Sequence, residues 1–302
     1  MADLNFTFLD RRGIISVSGE DSTAFLQGLI SNDVEKVTGE HAAYGALLTP
    51  QGKFLYDFFM AHHGDAVFMD SEGDRLEGLI RKLKMYKLRS KVDLGDETDK
   101  FSIFALYGKD ALSTLGLTTE LGATKVLGDG IVFTDPRLSE MGARAILPKD
   151  QAHSIIKDLA IIEDLGFSEA TVEAYDSHRI SLGLPDGSRD MIVEKAILLE
   201  NGFDELGGVD WDKGCFIGQE LTARTKHRGL IKKRLIPVLF DGTPPPEGTP
   251  IMVGDKEAGE VRSASSNQCL ALMRLEYLEA PGAEFLADGV RLTPQKPVWA
   301  KF

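Results

Sequence analysis

The texture of the chain changes at Arg234. Leu235–Phe240 reads as a strand, and Asp241–Pro250 is a loop with three consecutive prolines. The remainder alternates short apolar runs with turn residues at Gly254-Asp255, Ser265–Asn267, Pro281-Gly282 and Asp288-Gly289. Proline and glycine at this density permit only short strands joined by tight turns, so residues 235–302 read as a small antiparallel β-barrel. Cys269 opens the apolar run Cys269–Met273 and reads as core.

Before that point, strands and helices interleave. Arg12–Gly19 is a short apolar strand ended by glycine, and Asp21 and Ser22 are N-cap candidates for a helix through Phe25, Leu26, Leu29 and Ile30. Tyr44–Leu48 and Lys53–Met60 flank Thr49-Pro50-Gln51-Gly52, which predicts a β-hairpin. Ala66–Met69 is a strand, and Leu76, Leu79, Ile80, Leu83 and Tyr86 fall at helical spacing. Strands follow at Phe101–Tyr107, Gly130–Thr134 and Ala143–Leu147, with helices at Asp110–Leu115, Gln151–Leu159 and Glu169–Ile180. The pattern predicts an α+β fold with antiparallel sheets over residues 1–234, followed by the barrel at 235–302.

A chain of 302 residues can bury a substantial core, and no run approaches the ~18 apolar residues of a membrane span. The N-terminus, beginning Met1-Ala2-Asp3, lacks a signal or transit pattern. Two cysteines exclude a disulfide framework and point to a reducing compartment, the bacterial cytoplasm by default. A net charge of −13 argues against direct nucleic-acid binding. Two islands run against that charge. Residues 81–91 carry Arg81, Lys82, Lys84, Lys87, Arg89 and Lys91 with no acid; residues 213–234 carry seven bases against Glu220. They suggest a local anionic ligand or partner, or two solvated faces.

The richest stretch is Gly207–Glu220, continuing to Arg228. Gly214 and Gly218 bracket Cys215, which predicts a tight turn, and Gly218–Arg224 reads as the start of a short helix with Glu220 and Arg224 four apart. Cys215 would lie near that helix N-terminus beside Lys213, both of which favour a thiolate. The alternative is a small buried hydrophobe.

Lys213-Gly214-Cys215-Phe216-Ile217-Gly218-Gln219-Glu220 resembles the K-G-C-[FY]-x-G-Q-E signature of the YgfZ family, which is related to the aminomethyltransferase (T-protein) of the glycine cleavage system. Phe25-Leu26-Gln27-Gly28 with Ser31–Val34, Tyr86–Val92, and Leu221–Thr225 with Lys232–Leu235 extend the resemblance, the last toward the branch acting in iron–sulfur cluster assembly. The resemblance implies a T-protein-like fold of three lobes around a central channel. It implies a factor that helps A-type iron–sulfur carriers deliver four-iron clusters, with tetrahydrofolate as ligand. Cys215 would act as redox thiol or shared cluster ligand, positioned by Lys213, Gly214 and Gly218. Tyr86, Arg89, Ser181, Glu200, Gly218, Gln219, Glu220, Arg224 and Arg228 are the candidate cofactor-binding residues. The basic islands would receive an acidic partner or a folate polyglutamate tail.

Two departures from the T-protein pattern count against aminomethyl transfer. Tyr56-Asp57 keeps one of two adjacent acids, leaving Asp57 as the candidate catalytic acid. Ser181 stands where a glutamate grips the pterin, and a hydroxyl cannot match a carboxylate's bidentate geometry; Glu200 is the substitute acid. An influence on tRNA modification would be indirect, through iron–sulfur enzymes. The six histidines form no ligand cluster with either cysteine, and a single motif thiol cannot hold a cluster that usually takes four.

Overall fold

The computed structural model describes residues 4–161, 166–229 and 231–302; Met1, Ala2 and Asp3, which open the N-terminal pattern read above, lie outside them. The chain opens with β1 (Asn5–Phe8), β2 (Arg12–Ser18), α1 (Ser22–Gln27), β3 (Ala43–Leu48), β4 (Phe54–His63), β5 (Ala66–Glu72) and α2 (Leu76–Lys87). It continues through β6 (Asp93–Asp96), β7 (Phe101–Tyr107), α3 (Ala111–Thr114), β8 (Thr124–Leu127), β9 (Gly130–Thr134) and β10 (Ala143–Pro148). Next come α4 (Lys149–Ile161), β11 (Ser168–Glu169), α5 (Val172–Ser181) and α6 (Gln219–His227). The last segment holds β12 (Lys233–Phe240), β13 (Pro250–Val253), β14 (Lys256–Ser265), β15 (Gln268–Arg274), α7 (Leu275–Leu278), β16 (Phe285–Ala287) and β17 (Val290–Pro294).

These elements form two compact units. The first comprises Met1–Leu47, Tyr56–Val172 and Gly207–Ile217. It contains a five-stranded sheet, ordered β3-β4-β5-β2-β6, and a six-stranded sheet, ordered β11-β1-β7-β10-β9-β8. α1 and α2 bury Phe25, Leu26, Leu76, Leu79 and Leu83 against the five-stranded sheet, in one core with Val17, Phe58 and Met69. The hairpin and α2 appear as the local pattern predicts. One reading is corrected: the helix expected from Glu169 begins at Val172. Ser168 and Ala170 instead donate to Leu4 O and Phe6 O (2.9 and 2.8 Å), so β11 completes the sheet edge parallel to β1. Asp21 does not cap α1 with its side chain either; its Oδ2 accepts from the amide of Lys91 at 2.7 Å.

The second unit comprises Leu48–Leu55, Glu173–Leu206 and Gly218–Phe302. Its barrel is closed, in the order β12-β15-β14-β13-β16-β17, around Ile236, Val238, Val261, Cys269, Ala271 and Phe285. The barrel, expected from residue 235, is bonded to residues 173–206 of the same unit. Arg234 on β12 is 4% exposed, paired with Glu205 (2.7 Å) and donating to Leu199 O (2.8 Å). Arg179 on α5 reaches Asp190 (2.7 Å) and Ser263 Oγ on β14 (3.0 Å). Trp299 Nε1 donates to Leu182 O at 2.7 Å. One buried ion pair, a guanidinium–hydroxyl bond and an indole bond thus fasten the barrel to residues 173–206, and separating them would strand the Arg234–Glu205 charges.

Candidate functional site

Cys215 sits in a loop, Gly207–Ile217, that is held along its length to residues 27–36 of the same unit. Ser31 Oγ donates to Gly208 O (2.6 Å) and Asn32 Nδ2 to Gly207 O (2.8 Å). The amides of Asp210 and Ile217 donate to Ser31 O (3.0 Å) and Gly28 O (3.1 Å). Asp210 pairs with Lys36, and its Oδ1 accepts from the amides of Asp212 (2.8 Å) and Lys213 (3.0 Å). Phe216 is buried and Ile217 packs on the α1–α2 core, so the loop is anchored on both sides of the cysteine. Cys215 itself is exposed, and among the described residues no hydrogen bond reaches its Sγ. The buried-hydrophobe alternative fails for Cys215 and holds for Cys269, whose thiol burial pushes up to about 12.

The Lys213 ammonium, expected beside the thiol, is taken up by the backbone. It donates to three carbonyls, Gln27 O (2.9 Å), Ile30 O (2.6 Å) and Asn32 O (2.7 Å). Gln27 O is an end carbonyl of α1 without an intrahelical partner and the other two lie in the segment that follows it; the lysine has one proton for each. Burial lowers Lys213 to about 8, against the opposing pull of Asp33, Asp210 and Glu35. Lys213→Met is expected to cost about 2 kcal/mol in unfolding experiments, the worth of hydrogen bonds to a charged donor. Iodoacetamide should still alkylate Cys215 in that variant within about twofold of the natural rate. A large drop would restore the thiol-activating role.

Acid should loosen the loop at Asp210. Burial alone would raise this carboxyl, but the Lys36 bond and the two amides outweigh it and hold it below the usual range. A depressed acid contributes stability above its unfolded value, near 3.9, that is lost as pH falls through the folded value. The amide resonances of Asp212 and Lys213 are therefore expected to titrate together below about pH 4. Asp210→Asn should abolish that titration.

The two glycines around Cys215 differ. A Cβ at Gly214 would meet nothing within 4 Å. Gly218 adopts φ +82°, and a Cβ there would lie 2.4 Å from Thr49 O; a Cβ at Gly52 would lie 2.6 Å from Gly218 O. This glycine pair, within the second unit, lets the β3–β4 turn meet the start of α6 backbone to backbone. On α6, Glu220 and Arg224 are both exposed, and among the described residues no ion pair joins them. The 213–234 island is not one basic face: Lys213 and Arg234 are turned inward and Lys226 pairs with Asp204. Arg224, Arg228 and Lys232 remain exposed.

Asp57, the candidate acid, is 2% exposed and accepts from Tyr44 OH at 2.8 Å. It belongs to a buried network between the sheets of the first unit. Asp70 binds Arg12 (2.6 Å) and Arg144 (2.8 Å), Asp135 binds Arg137 (2.8 Å), and all three guanidinium groups lie over Phe59. Burial would raise Asp135, but the Arg137 guanidinium holds it below the usual range; burial and the Asp57 charge push Tyr44 well up. The network places Asp57 in the packed interior of the first unit.

The other candidate cofactor residues divide between the units. In the first, Tyr86 packs partly buried against the α2 core and Arg89 is exposed. In the second, Ser181 ends α5, donates to His178 O (2.7 Å) and lines an open cleft with Glu173, Ser177, Ser266 and Gln268. Gln219 is half-buried at the start of α6. Glu200 is half-buried in a 3-10 turn; burial raises its carboxyl, while Lys233, Lys53 and Arg234 pull the other way. Ser181 thus carries a hydroxyl where the resemblance expected a carboxylate, and Glu200 carries a carboxylate. Sequence reasoning missed Ser31, Asn32 and Asp210 as loop anchors; their only signal is a run of polar residues far from, or beside, the motif.

Comparison with known proteins agrees with this architecture. Residues 9–126 match the GCVT N-terminal domain and residues 232–302 match the C-terminal β-barrel domain of CAF17. Aminomethyltransferase T of the glycine cleavage system from Bartonella henselae superposes with a TM-score of 0.79 at 14% identity, over 99% of this chain and 87% of that one, which establishes the T-protein fold. A Mycosarcoma maydis protein named iron-sulfur cluster assembly factor IBA57 homolog, mitochondrial, is 33% identical over 78% of this chain. Only 57% of that relative's length is spanned, and 55% of its Neurospora crassa counterpart. The human protein named iron-sulfur cluster assembly factor IBA57, mitochondrial, is 30% identical over 96% of this chain and 84% of its own length. On that match, with a GCVT-type region followed by a CAF17-type barrel, the chain belongs to the CAF17/IBA57 family.

Proposed function

We propose that this protein assists assembly of iron–sulfur clusters, with Cys215 contributing one thiolate to a cluster in transit. The observation that carries the reading is an exposed thiol at the tip of a loop anchored on both sides, in a chain whose relatives are named assembly factors. One thiolate cannot hold a cluster that usually takes four, so the cluster is shared cargo and the other ligands come from a partner. A-type carriers delivering four-iron clusters are the partners proposed, and the K-G-C-F-I-G-Q-E motif supports a YgfZ-like reading of the chain. Any effect on tRNA modification follows from iron–sulfur enzymes. The compartment is a reducing one, the cytoplasm, supported by two cysteines that are both free. The test is complementation: in cells lacking the endogenous factor, this chain restores the activity of four-iron enzymes, and failure to restore it refutes the reading.

Tetrahydrofolate is proposed as a bound ligand, with Glu200 supplying the carboxylate and Arg224 and Arg228 facing a polyglutamate tail. Calorimetric titration is expected to show binding that Glu200→Gln weakens by about tenfold, the value of a lost charge-assisted pair. Binding gained only on Ser181→Glu would refute the assignment to Glu200. Aminomethyl transfer is disfavoured, since Asp57 is bonded to Tyr44 in the interior; turnover with an aminomethyl donor would reinstate it.

A further inference from the structure

The basic end of α2 and the thiol loop are tied to opposite ends of α1. At one end, Lys91 N donates to Asp21 Oδ2 (2.7 Å) and Asp21 N to Lys91 O (3.3 Å). At the other, Ile217 N donates to Gly28 O (3.1 Å) and Lys213 to Gln27 O (2.9 Å). Six helical residues at 1.5 Å each separate the two attachment points by roughly 9 Å. The exposed residues of α1 and its cap are small and uncharged: Thr23, Ala24 and Gly28.

The end of α2 carries two apolar side chains in water, Met85 at 64% and Leu88 at 88% exposure. Leu88 ends the helix at φ 45°, a conformation rare for a branched side chain. Arg81, Lys84 and Arg89 are exposed around them, while Lys87 and Lys91 lie against Asp93 (4.0 Å) and Glu20 (2.6 Å). An apolar pair framed by cations complements an acidic protein surface with an apolar hollow. A small anion would leave both apolar groups in water. A lipid surface needs more buried hydrocarbon than two side chains, since even one acyl chain binds marginally.

We propose that Met85, Leu88 and the surrounding bases form, with the α1 strip and Cys215, one docking surface for an acidic protein partner. The surface seats the partner so that its thiolates and Cys215 meet across the small residues of α1. The choice of probe rests on the assembly reading; the surface itself rests on the exposure and charge of α2. The experiment is calorimetric titration of the full chain with a purified A-type iron–sulfur carrier. Leu88→Ser, and Lys84→Glu with Arg89→Glu, are each expected to weaken binding by about tenfold or more, as loss of a central anchor does. The charge-matched control Lys109→Glu with Lys256→Glu, on exposed residues elsewhere, should stay within about twofold. Equal affinity in every variant would overturn the surface and leave the assembly reading standing. No binding by the natural chain, with complementation intact, would overturn it too. Binding to phosphatidylserine–phosphatidylcholine vesicles that Leu88→Ser removes, in place of carrier binding, would make a membrane the occupant and refute the proposal.

Discussion

Asp70→Ala is expected to destabilise the first unit by about 3–5 kcal/mol, the cost of breaking a buried ion pair by removing one partner. Asp70 is fully buried, and both its carboxylate oxygens are engaged: Oδ1 accepts from Arg12 Nε and Oδ2 from Arg144 Nη1. Arg12 and Asp70 sit on paired strands of one sheet and Arg144 on the other, so the carboxylate ties the two sheets by charge. Removing it strips two desolvated guanidinium groups of the carboxylate they share, while Arg12 keeps its bond to Asp70 O and both keep their contact with the Phe59 ring. Asp70→Asn keeps an acceptor without the charge and should fall between. Adding Arg144→Leu to Asp70→Ala should recover part of the loss, because it removes one of the stranded charges. Urea unfolding followed by circular dichroism checks this: the midpoint should fall with little change in slope. A shift worth under about 1 kcal/mol would mean that water or neighbouring groups compensate the arginines.

Gly218→Ala is expected to cost about 2–5 kcal/mol, combining a left-handed backbone with a steric conflict. The added Cβ would meet Thr49 O at 2.4 Å, Leu48 Cβ at 2.9 Å and Gly52 Cα at 3.0 Å. Two of these are backbone atoms of a tight turn, closed by Thr49 N to Lys53 O and Gly52 N to Thr49 O, both 2.8 Å, so the turn cannot rotate away. Gly52→Ala should behave similarly, and the double variant should cost less than the sum, since the same contact is broken twice. Gly214→Ala, with open space around it, should stay within about 0.5 kcal/mol. Thermal unfolding of the three single variants separates the glycine that the backbone requires from the one that the motif merely contains.

The parts legible in the sequence are those whose cause is local. Thr49-Pro50-Gln51-Gly52 announces its turn, and the spacing of Leu76, Leu79 and Leu83 announces α2. The barrel is legible because its turn residues recur at short intervals. β11 was not, because Ser168 and Glu169 have no strand character of their own; they are extended only because β1 offers an open edge. The site was legible in composition and not in direction. Lys213 beside Cys215 suggested an electrostatic partner for the thiol, but the lysine's acceptors are backbone carbonyls about 180 residues away, which carry no mark in the sequence. Asp57 was a candidate through the resemblance to the T-protein's acid pair; its burial depends on a second sheet and has no local mark.

The central claim is that the thiol of Cys215 takes part in iron–sulfur assembly, and one substitution in living cells tests it. In cells lacking the endogenous factor, the activity of a four-iron enzyme is measured after supplying either the natural chain or Cys215→Ala. Cys215 is exposed and bonded to nothing through its side chain among the described residues, so alanine there should leave the fold intact. The predicted result is restoration by the natural chain and loss of most of that restoration with Cys215→Ala at equal protein level. Full restoration by Cys215→Ala would contradict the assigned role.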